Sequence, residues 1–512
     1  MGLVLGLGGA ALLLALLAIV GAVAVSKDGD TELVAGPGGA LQPGDSDDGT
    51  GTTVAPGDAT ATTAPGDLGT VPGADPGAAP GGAPGAPGAP GGGPAPAGGS
   101  PGTSGGGVAG ETPSAQGATR TGVSQTTIRW GLHAPITFDG APLALAEDPI
   151  EGVNIYIRFI NQRGIHGRKI EHRIFDDRYT VSGGRAAANA LINDYKPFFA
   201  SGTLGVDQNF QVASEAQKRG VTYLAAGGPE RVFGPAGMYQ VSQSYDTVLI
   251  RLAEFLGAES RRQGNIYSGR KKVGVFALNS PYIKPSVDVF ADALRKNGLE
   301  YVGSEEVDKP TEQTTYNSEI SNMRAKGAEI VVPVQDPITT SRITAECGGV
   351  SAAACPWKWS FANFAHDGDV ALDLMGGAWT GVKGLSGACY YLPKGGMNPY
   401  DTTKCAQMKI AHDQWVAING QADWEKDGQG GAAGYQIVNI WTKALIDIGP
   451  DPTREKFVAA LNSYEGYSNL VSSPITYKGS PNRAHGADGV VIYEAGSDRK
   501  FRQLTPGFVT SF

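Results

Sequence analysis

From Thr127 to Asp336 the chain repeats one rhythm. A short apolar run is followed by a longer segment whose apolar residues recur every three or four positions. "TTIRWGLHAPI" reads as a strand, and "DPIEGVNIYIRFINQRG" as a helix with Ile150, Val153, Ile157 and Ile160 on one side and Asp148-Pro149 as cap and first turn. Gly164 stops this helix and Gly167 permits the reversal, so His166 sits in a turn and is expected to be a solvated loop residue. "RKIEHRIFDD" is the next strand, with Ile170, His172 and Ile174 on one side and Glu171 and Arg173 on the other.

Helix and strand then alternate. The expected helices are "SGGRAAANALINDY", "NFQVASEAQKRG", "DTVLIRLAEFLGAES", "SVDVFADALRKNG" and "TTYNSEISNMRAKG". Between them lie the strands "PFFASG", "VTYLAAGG", "KKVGVFALN", "LEYVGSEEV" and "AEIVVPVQD". Continuously apolar strands separated by helices require parallel sheets covered on both faces, which makes the fold class α/β. Residues 120–512 are too many for one comfortable doubly wound sheet, so two lobes are expected. In open parallel sheets a ligand lies beyond the carboxyl ends of the strands. That rule selects the loops Thr137–Gly140, Gly202–Asp207, Gly227–Glu230, Asn279–Tyr282, Asp336 and Asn363–Asp367.

The N-terminal part differs in kind. Residues 3–25 carry no charge and are long enough to span a bilayer as a helix; Ala22-Val23-Ala24 also has the small-x-small form of a signal cleavage site. Residues 1–26 are therefore expected to be a signal peptide or membrane anchor. Residues 27–119 are dominated by Gly, Pro, Ala, Asp and Thr, have no aromatic residue, and cannot bury enough apolar surface to offset their conformational entropy. They read as a disordered acidic linker, reaching roughly 50–55 Å as a flexible coil. Its glycine pattern Gly105-x-Gly107-x-x-Gly110 follows no strand and is no dinucleotide site. Lys27 and ten acidic residues precede Arg120, so 40 of the 41 basic and 40 of the 50 acidic residues lie in 120–512. That balanced remainder offers no basic face for nucleic acid or anionic lipid.

"EGVNIYIRFINQRGIHGRKIEHRIFDD" resembles the first helix, glycine turn and second strand of type 1 periplasmic binding proteins, the branched-chain amino acid receptor family of ABC transporters. Arg163 stands where the family has the first turn glycine. "QKRGVTYLAAG", "KKVGVFALNSPYIKPSVDVFADALRKNGLEYVGSEEV" and "GYQIVNIWTKALIDIG" are similar to later segments of that family, in the same order. The resemblance implies two Rossmann-like lobes, a three-strand hinge and a ligand cleft. Matched residue by residue, it puts Val206 and Asp207 where hydroxyls hold a ligand carboxylate, and Pro229 where a threonine does so. Thr203 keeps one hydroxyl. Tyr282 falls on the cleft tyrosine of the second lobe, and the acid that meets a ligand amine falls near Asn363–Asp367. The expected ligand-binding set is therefore Thr137, Phe138, Asp139, Thr203, Val206, Asp207, Gly227, Gly228, Tyr282, Asp336, Asn363 and Asp367. An acid in the first loop opposes a carboxylate in a desolvated cleft, which leaves amides, polyols, amines and aromatic compounds open beside amino acids.

Four cysteines, Cys347, Cys355, Cys389 and Cys405, suit disulfides in an exported chain; of three connectivities, the local pairs Cys347–Cys355 and Cys389–Cys405 are expected. No Cys-x-x-Cys pair and no histidine at finger spacing points to zinc. No Gly-x-Ser-x-Gly elbow joins a strand to a helix in residues 120–512, and His-Glu-x-x-His and phosphate-loop motifs are absent from the sequence. Neither enzyme activity, nor a metal, nor a cofactor is expected. His366 lies in a cleft loop by the resemblance and is the histidine best placed for a ligand. The whole reads as an extracytoplasmic receptor, tethered to the membrane through its N-terminal segment, that delivers a small solute to an ABC permease. A sensing ectodomain and a tethered hydrolase are the alternatives.

Overall fold

The computed structural model describes residues 120–512 except 349–354, 363, 365, 390–407, 471 and 480–484, together with the backbone of Glu32–Val34. The expected leader 1–26 lies outside the described residues, as does the expected linker apart from Glu32–Val34. No helix among the described residues is long and apolar enough to cross a membrane.

Two parallel sheets define two lobes. Glu32–Val34 (β1), Thr127–Ala134 (β2), Lys169–Asp176 (β3), Phe199–Gly202 (β4), Thr222–Ala225 (β5) and Tyr239–Gln240 (β6) form the first, in the order β1-β3-β2-β4-β5-β6. Lys272–Leu278 (β7), Glu300–Val307 (β8), Ile330–Val334 (β9) and Lys358–Trp359 (β10) form the second, in the order β8-β7-β9-β10. Lys383–Ser386 (β11), Val491–Ala495 (β12) and Phe501–Gln503 (β13) make an antiparallel sheet, linked to the second lobe by the Phe361–Gly384 bridge. The α/β two-lobed fold expected from the strand–helix rhythm is the one observed.

Helices cover both faces. Ala144–Arg163 (α1) begins at Ala144, a turn earlier than the Asp148-Pro149 cap implied, with Pro149 inside the helix. Val181–Ala188 (α2) widens into a π-helix over Asn189–Tyr195, where a single α-helix was expected. Val206–Lys218 (α3) starts at Val206, so Val206 and Asp207 lie in a first helical turn, not in a loop. In the second lobe, Tyr245–Arg261 (α4), Lys284–Lys296 (α5), Asn317–Ala325 (α6), Pro337–Glu346 (α7) and Asp369–Met375 (α8) follow. Lys409–Asn419 (α9), Gln421–Asp447 (α10) and Arg454–Asn462 (α11) return to the first lobe.

Alternation along β2 explains the packing there. Ile128, Trp130, Leu132 and Ala134 enter one core with Ile157, Phe199 and Trp441, while Gly131 opens toward Leu191 on the other face. Trp130 stands 4.9 Å from the Trp441 ring and donates its indole hydrogen to Ser201 Oγ at 3.1 Å. His166, with φ of 49°, is exposed and hydrogen-bonds the Ile446 carbonyl at 2.8 Å, so the glycine turn is fastened to the last turn of α10. Cys347 and Cys355 form a disulfide, and Cys389 is disulfide-bonded; Cys405 lies outside the described residues.

The stretch Gly428-x-Gly430-Gly431-x-x-Gly434 sits inside α10, against glycine's low helix propensity. The reason is contact between backbones. A Cβ on Gly434 would stand 2.0 Å from the Pro149 carbonyl oxygen, and one on Gly152 of α1 would stand 2.0 Å from that of Gly431. Gly152→Ala therefore sets a helix-propensity gain of about 1 kcal/mol against a backbone clash. The clash is expected to win, with a net loss of about 1–3 kcal/mol in urea unfolding. A stabilised Gly152→Ala protein would show that the two helices are not in backbone contact.

Candidate functional site

Three chain segments cross between the lobes and are knotted at one side chain. Gln243, buried at 1% exposure, donates through Nε2 to the carbonyls of Gly387 (3.1 Å) and Gly489 and lies 3.4 Å from Ser473 Oγ. The bridges Gln243–Gly486 and Ala388–Ser472 add backbone pairing among the same segments. This is the three-stranded hinge. His485, beside it, is held by Glu230 at 3.0 Å and by Asp488, and these hydrogen bonds push its pKa up to about 10.

Between the lobes lies a cavity of about 250 Å³. From the first lobe it is lined by Tyr179, the loop Thr203–Gly205 and Val206, and by Leu145, Asp148 and Pro149 at the start of α1. Lys426, Gly430 and Gln436 of α10 complete that side, and Ser242, Gln243 and Tyr245 approach from the hinge. The second lobe supplies Leu278, Ile283, Val334, Gln335, Asp336, Phe364, Asp367 and Val370. Apolar side chains dominate this lining, and among the described residues no arginine belongs to it.

Each wall is held by groups behind it. Behind the first loop, Asn209 Nδ2 donates to the carbonyls of Thr203 (3.2 Å) and Gly205 (2.8 Å). Its Oδ1 therefore accepts from the Tyr223 hydroxyl, so His133 Nε2 donates to the Tyr223 oxygen. His133 Nδ1 lies 2.7 Å from Asp177 Oδ2. His133, Asp177, Tyr223 and Asn209 are all buried. Such a network is fully satisfied only in one arrangement, which fixes Thr203. Tyr179 is aimed by the "DD" ending of β3. Asp176 Oδ1 accepts from Arg178 N and Asp177 Oδ1 from Tyr179 N, both at 2.9 Å, holding two successive non-glycine residues at φ of 54° and 55°.

On the opposite wall, Asp336 caps α7, accepting from Thr339 N (2.9 Å) and Thr339 Oγ1 (2.8 Å). Asp367 accepts from Ser386 Oγ, and burial pushes its carboxyl up. Tyr245 meets Phe364 edge-on at 4.3 Å. Three buried polar atoms of the lining have no protein partner: Thr203 Oγ1, Gln243 Oε1 and Gln335 Oε1. Buried polar groups left like this call for a ligand or water.

The expected site residues separate into three groups. Thr203, Val206, Gly227, Asp336 and Asp367 are brought together around the cavity. Asp207 and Tyr282, expected in the cleft, stand instead where the lobes touch: Ser280 Oγ donates to Asp207 Oδ1 at 2.7 Å, and the Tyr282 ring stacks on Phe210 at 4.2 Å. Lys309 adds a third contact, donating to the Tyr179 carbonyl at 2.6 Å with its ammonium 3.6 Å from the Tyr179 ring centroid. Thr137 is turned to Asp176, Phe138 packs edge-on behind Tyr179, Asp139 is exposed in a tight turn, and Gly228 pairs with the Gln240 side chain; none of the four lines the cavity. Asn363 lies outside the described residues. His366, read as a cleft histidine, is fully buried beside Trp379, bonded to Thr340 Oγ1 at 2.9 Å, and its pKa is lowered to about 3 by burial. Sequence reasoning missed Tyr179, Gln243, Tyr245, Gln335, Asp148 and Lys426. Only the two positive-φ residues after "DD" leave a trace of this, since consecutive aspartates there signal a turn.

Two α/β lobes, a three-segment hinge and a cavity lined from both sides define a hinged ligand-binding protein. A family model described as periplasmic binding protein matches residues 127–500, and the chain belongs to that family. Similar solved structures include a branched-chain amino acid ABC transporter protein from Thermus thermophilus with bound valine (17% identity, TM-score 0.60, 76% of this chain and 98% of that one). A solute-binding protein of an ABC transporter from R. palustris in complex with benzoate is 15% identical (TM-score 0.59; 75% and 97% covered). A fatty acid ABC transporter substrate-binding protein from Thermomonospora curvata is 16% identical (TM-score 0.60; 77% and 95% covered). At these identities the likeness is one of fold. No curated protein matches the chain.

Proposed function

We propose that the chain is the solute receptor of an ABC transporter, that it is not an enzyme, and that it captures a small, largely apolar solute carrying hydrogen-bond donors. The observation that carries this reading is the inter-lobe cavity whose lining residues Gln243 and Gln335, from hinge and second lobe, hold buried oxygens without a partner among the described residues. A ligand bridging them makes contacts available only when the lobes are together, and only contacts of that kind let a ligand favour the closed state. Among the described residues, three carboxyl groups against one ammonium line the cavity, so its charge disfavours a carboxylate. Capture takes place outside the cytoplasm in this reading, in keeping with the Cys347–Cys355 disulfide. The apolar segment 3–25 and the linker up to residue 119 would tether the receptor to the membrane, within reach of the permease.

A thermal-shift screen of the full chain with amides, alcohols, amines and carboxylates tests this. A cognate ligand at 100 times its dissociation constant is expected to add about 2.7 kcal/mol of stability. Turnover of a hit would overturn the receptor reading, and tightest binding of a simple carboxylate would overturn the solute class.

A further inference from the structure

We propose that Asp148 is the specificity-determining residue of the cavity and that it recognises an amine or other cationic group on the solute, an inference that rests on the receptor reading. The charged side chains of the lining are few, and most are committed. Asp336 caps α7, Asp367 accepts from Ser386, and Lys426 is paired with Asp427 at 2.7 Å. Asp148 has no hydrogen bond or ion pair among the described residues, although it lines the cavity from the start of α1. Its carboxyl is pressed against α10 at Gly430, where a Cβ would stand 2.5 Å from Asp148 Oδ2, so the close α1–α10 packing fixes its position.

The surroundings reinforce this. Burial first, then Asp427, Glu147 and Asp423, raise the Asp148 pKa to about 7, and Lys426 offsets them only in part. A group in that setting gains most from an added positive charge, which relieves both the desolvation and the like-charge repulsion. Gln243 and Gln335, also in the lining, are more than nine-tenths buried, and their amide oxygens, like the Thr203 hydroxyl, have no partner among the described residues. The lining therefore combines one uncommitted carboxyl group with two amide side chains and a hydroxyl in want of partners, within apolar walls. That is a complement to a short aliphatic or aromatic amine bearing a further donor, and a poor one for benzoate or a fatty acid.

The test measures calorimetric binding of matched sets sharing one skeleton: benzylamine, benzyl alcohol and benzoate, with the isopentyl series beside them, to the wild-type chain and to Asp148→Asn. Amines are expected to bind the wild type most tightly. Asp148→Asn should weaken them at least tenfold while changing the alcohols less than twofold. Amine affinity should also fall as pH drops below 7, toward tenfold per unit, since protonation removes the carboxylate while the amine stays charged; Asp148→Asn should be flat over the same range. Binding of alcohols or carboxylates that Asp148→Asn leaves untouched, with no preference for amines, overturns the role of Asp148 and leaves the receptor intact. No binding in either series overturns both the role and the solute class. An unchanged circular dichroism spectrum and melting curve for Asp148→Asn separates loss of recognition from loss of fold.

Discussion

An Arg454→Met protein is expected to lose about 3–5 kcal/mol of unfolding free energy, the largest effect of any single substitution considered. Arg454 opens α11, is buried at 6% exposure, and donates to four carbonyls: Pro197 (2.7 Å), Phe198 (2.9 Å), Gly220 (3.2 Å) and Arg219 (3.4 Å). Two of these precede β4 and two precede β5, so one guanidinium closes the amino ends of two neighbouring strands. Burial lowers its pKa to about 10. Methionine fills similar volume but leaves all four acceptors without their donor. Arg454→Lys should fall between, because one ammonium lacks the planar fork that reaches both pairs. Urea unfolding followed by tryptophan fluorescence measures this, and a loss below 1 kcal/mol for the methionine variant would mean that the carbonyls find other partners.

Gln243→Leu ranks second, with an expected loss of about 2–4 kcal/mol, because the carbonyls of Gly387 and Gly489 are left buried and unpaired. This substitution should also weaken solute binding at least tenfold, since the same residue lines the cavity and its buried Oε1 has no partner among the described residues. The two effects come from opposite ends of one amide, so Gln243→Glu, which retains an acceptor but lacks the Nε2 donor, should lose stability while keeping affinity for an amine solute. A Gln243→Leu protein with wild-type urea midpoint and wild-type affinity would remove Gln243 from the hinge.

Much of the architecture was legible because β-strand and helix periods differ. Val273 and Val275, or Val153 and Ile157, announce their elements without any neighbour. The rule that ligands gather beyond strand carboxyl ends pointed to Thr203, Gly227 and Asp336, which are one-dimensional consequences of where strands stop. Asp207 and Tyr282 were placed in the cleft by analogy. The structure turns them to the lobe–lobe contact because α3 begins three residues earlier than its apolar pattern suggests, which brings Asp207 into the first turn opposite Ser280. The first half of α10 was illegible for a different reason. Gly428, Gly430, Gly431 and Gly434 oppose a helix by propensity, and only the presence of α1 at backbone distance makes them favourable. Asp148 and Lys426 face the cavity through that packing, so no local pattern could have joined them.

The bonds from Ser280 to Asp207 and from Lys309 to Tyr179, with the Phe210–Tyr282 stack, hold the lobes together without involving the cavity contents. Part of what keeps the two lobes together is therefore supplied by the protein itself, and a bound solute has only the remainder to add.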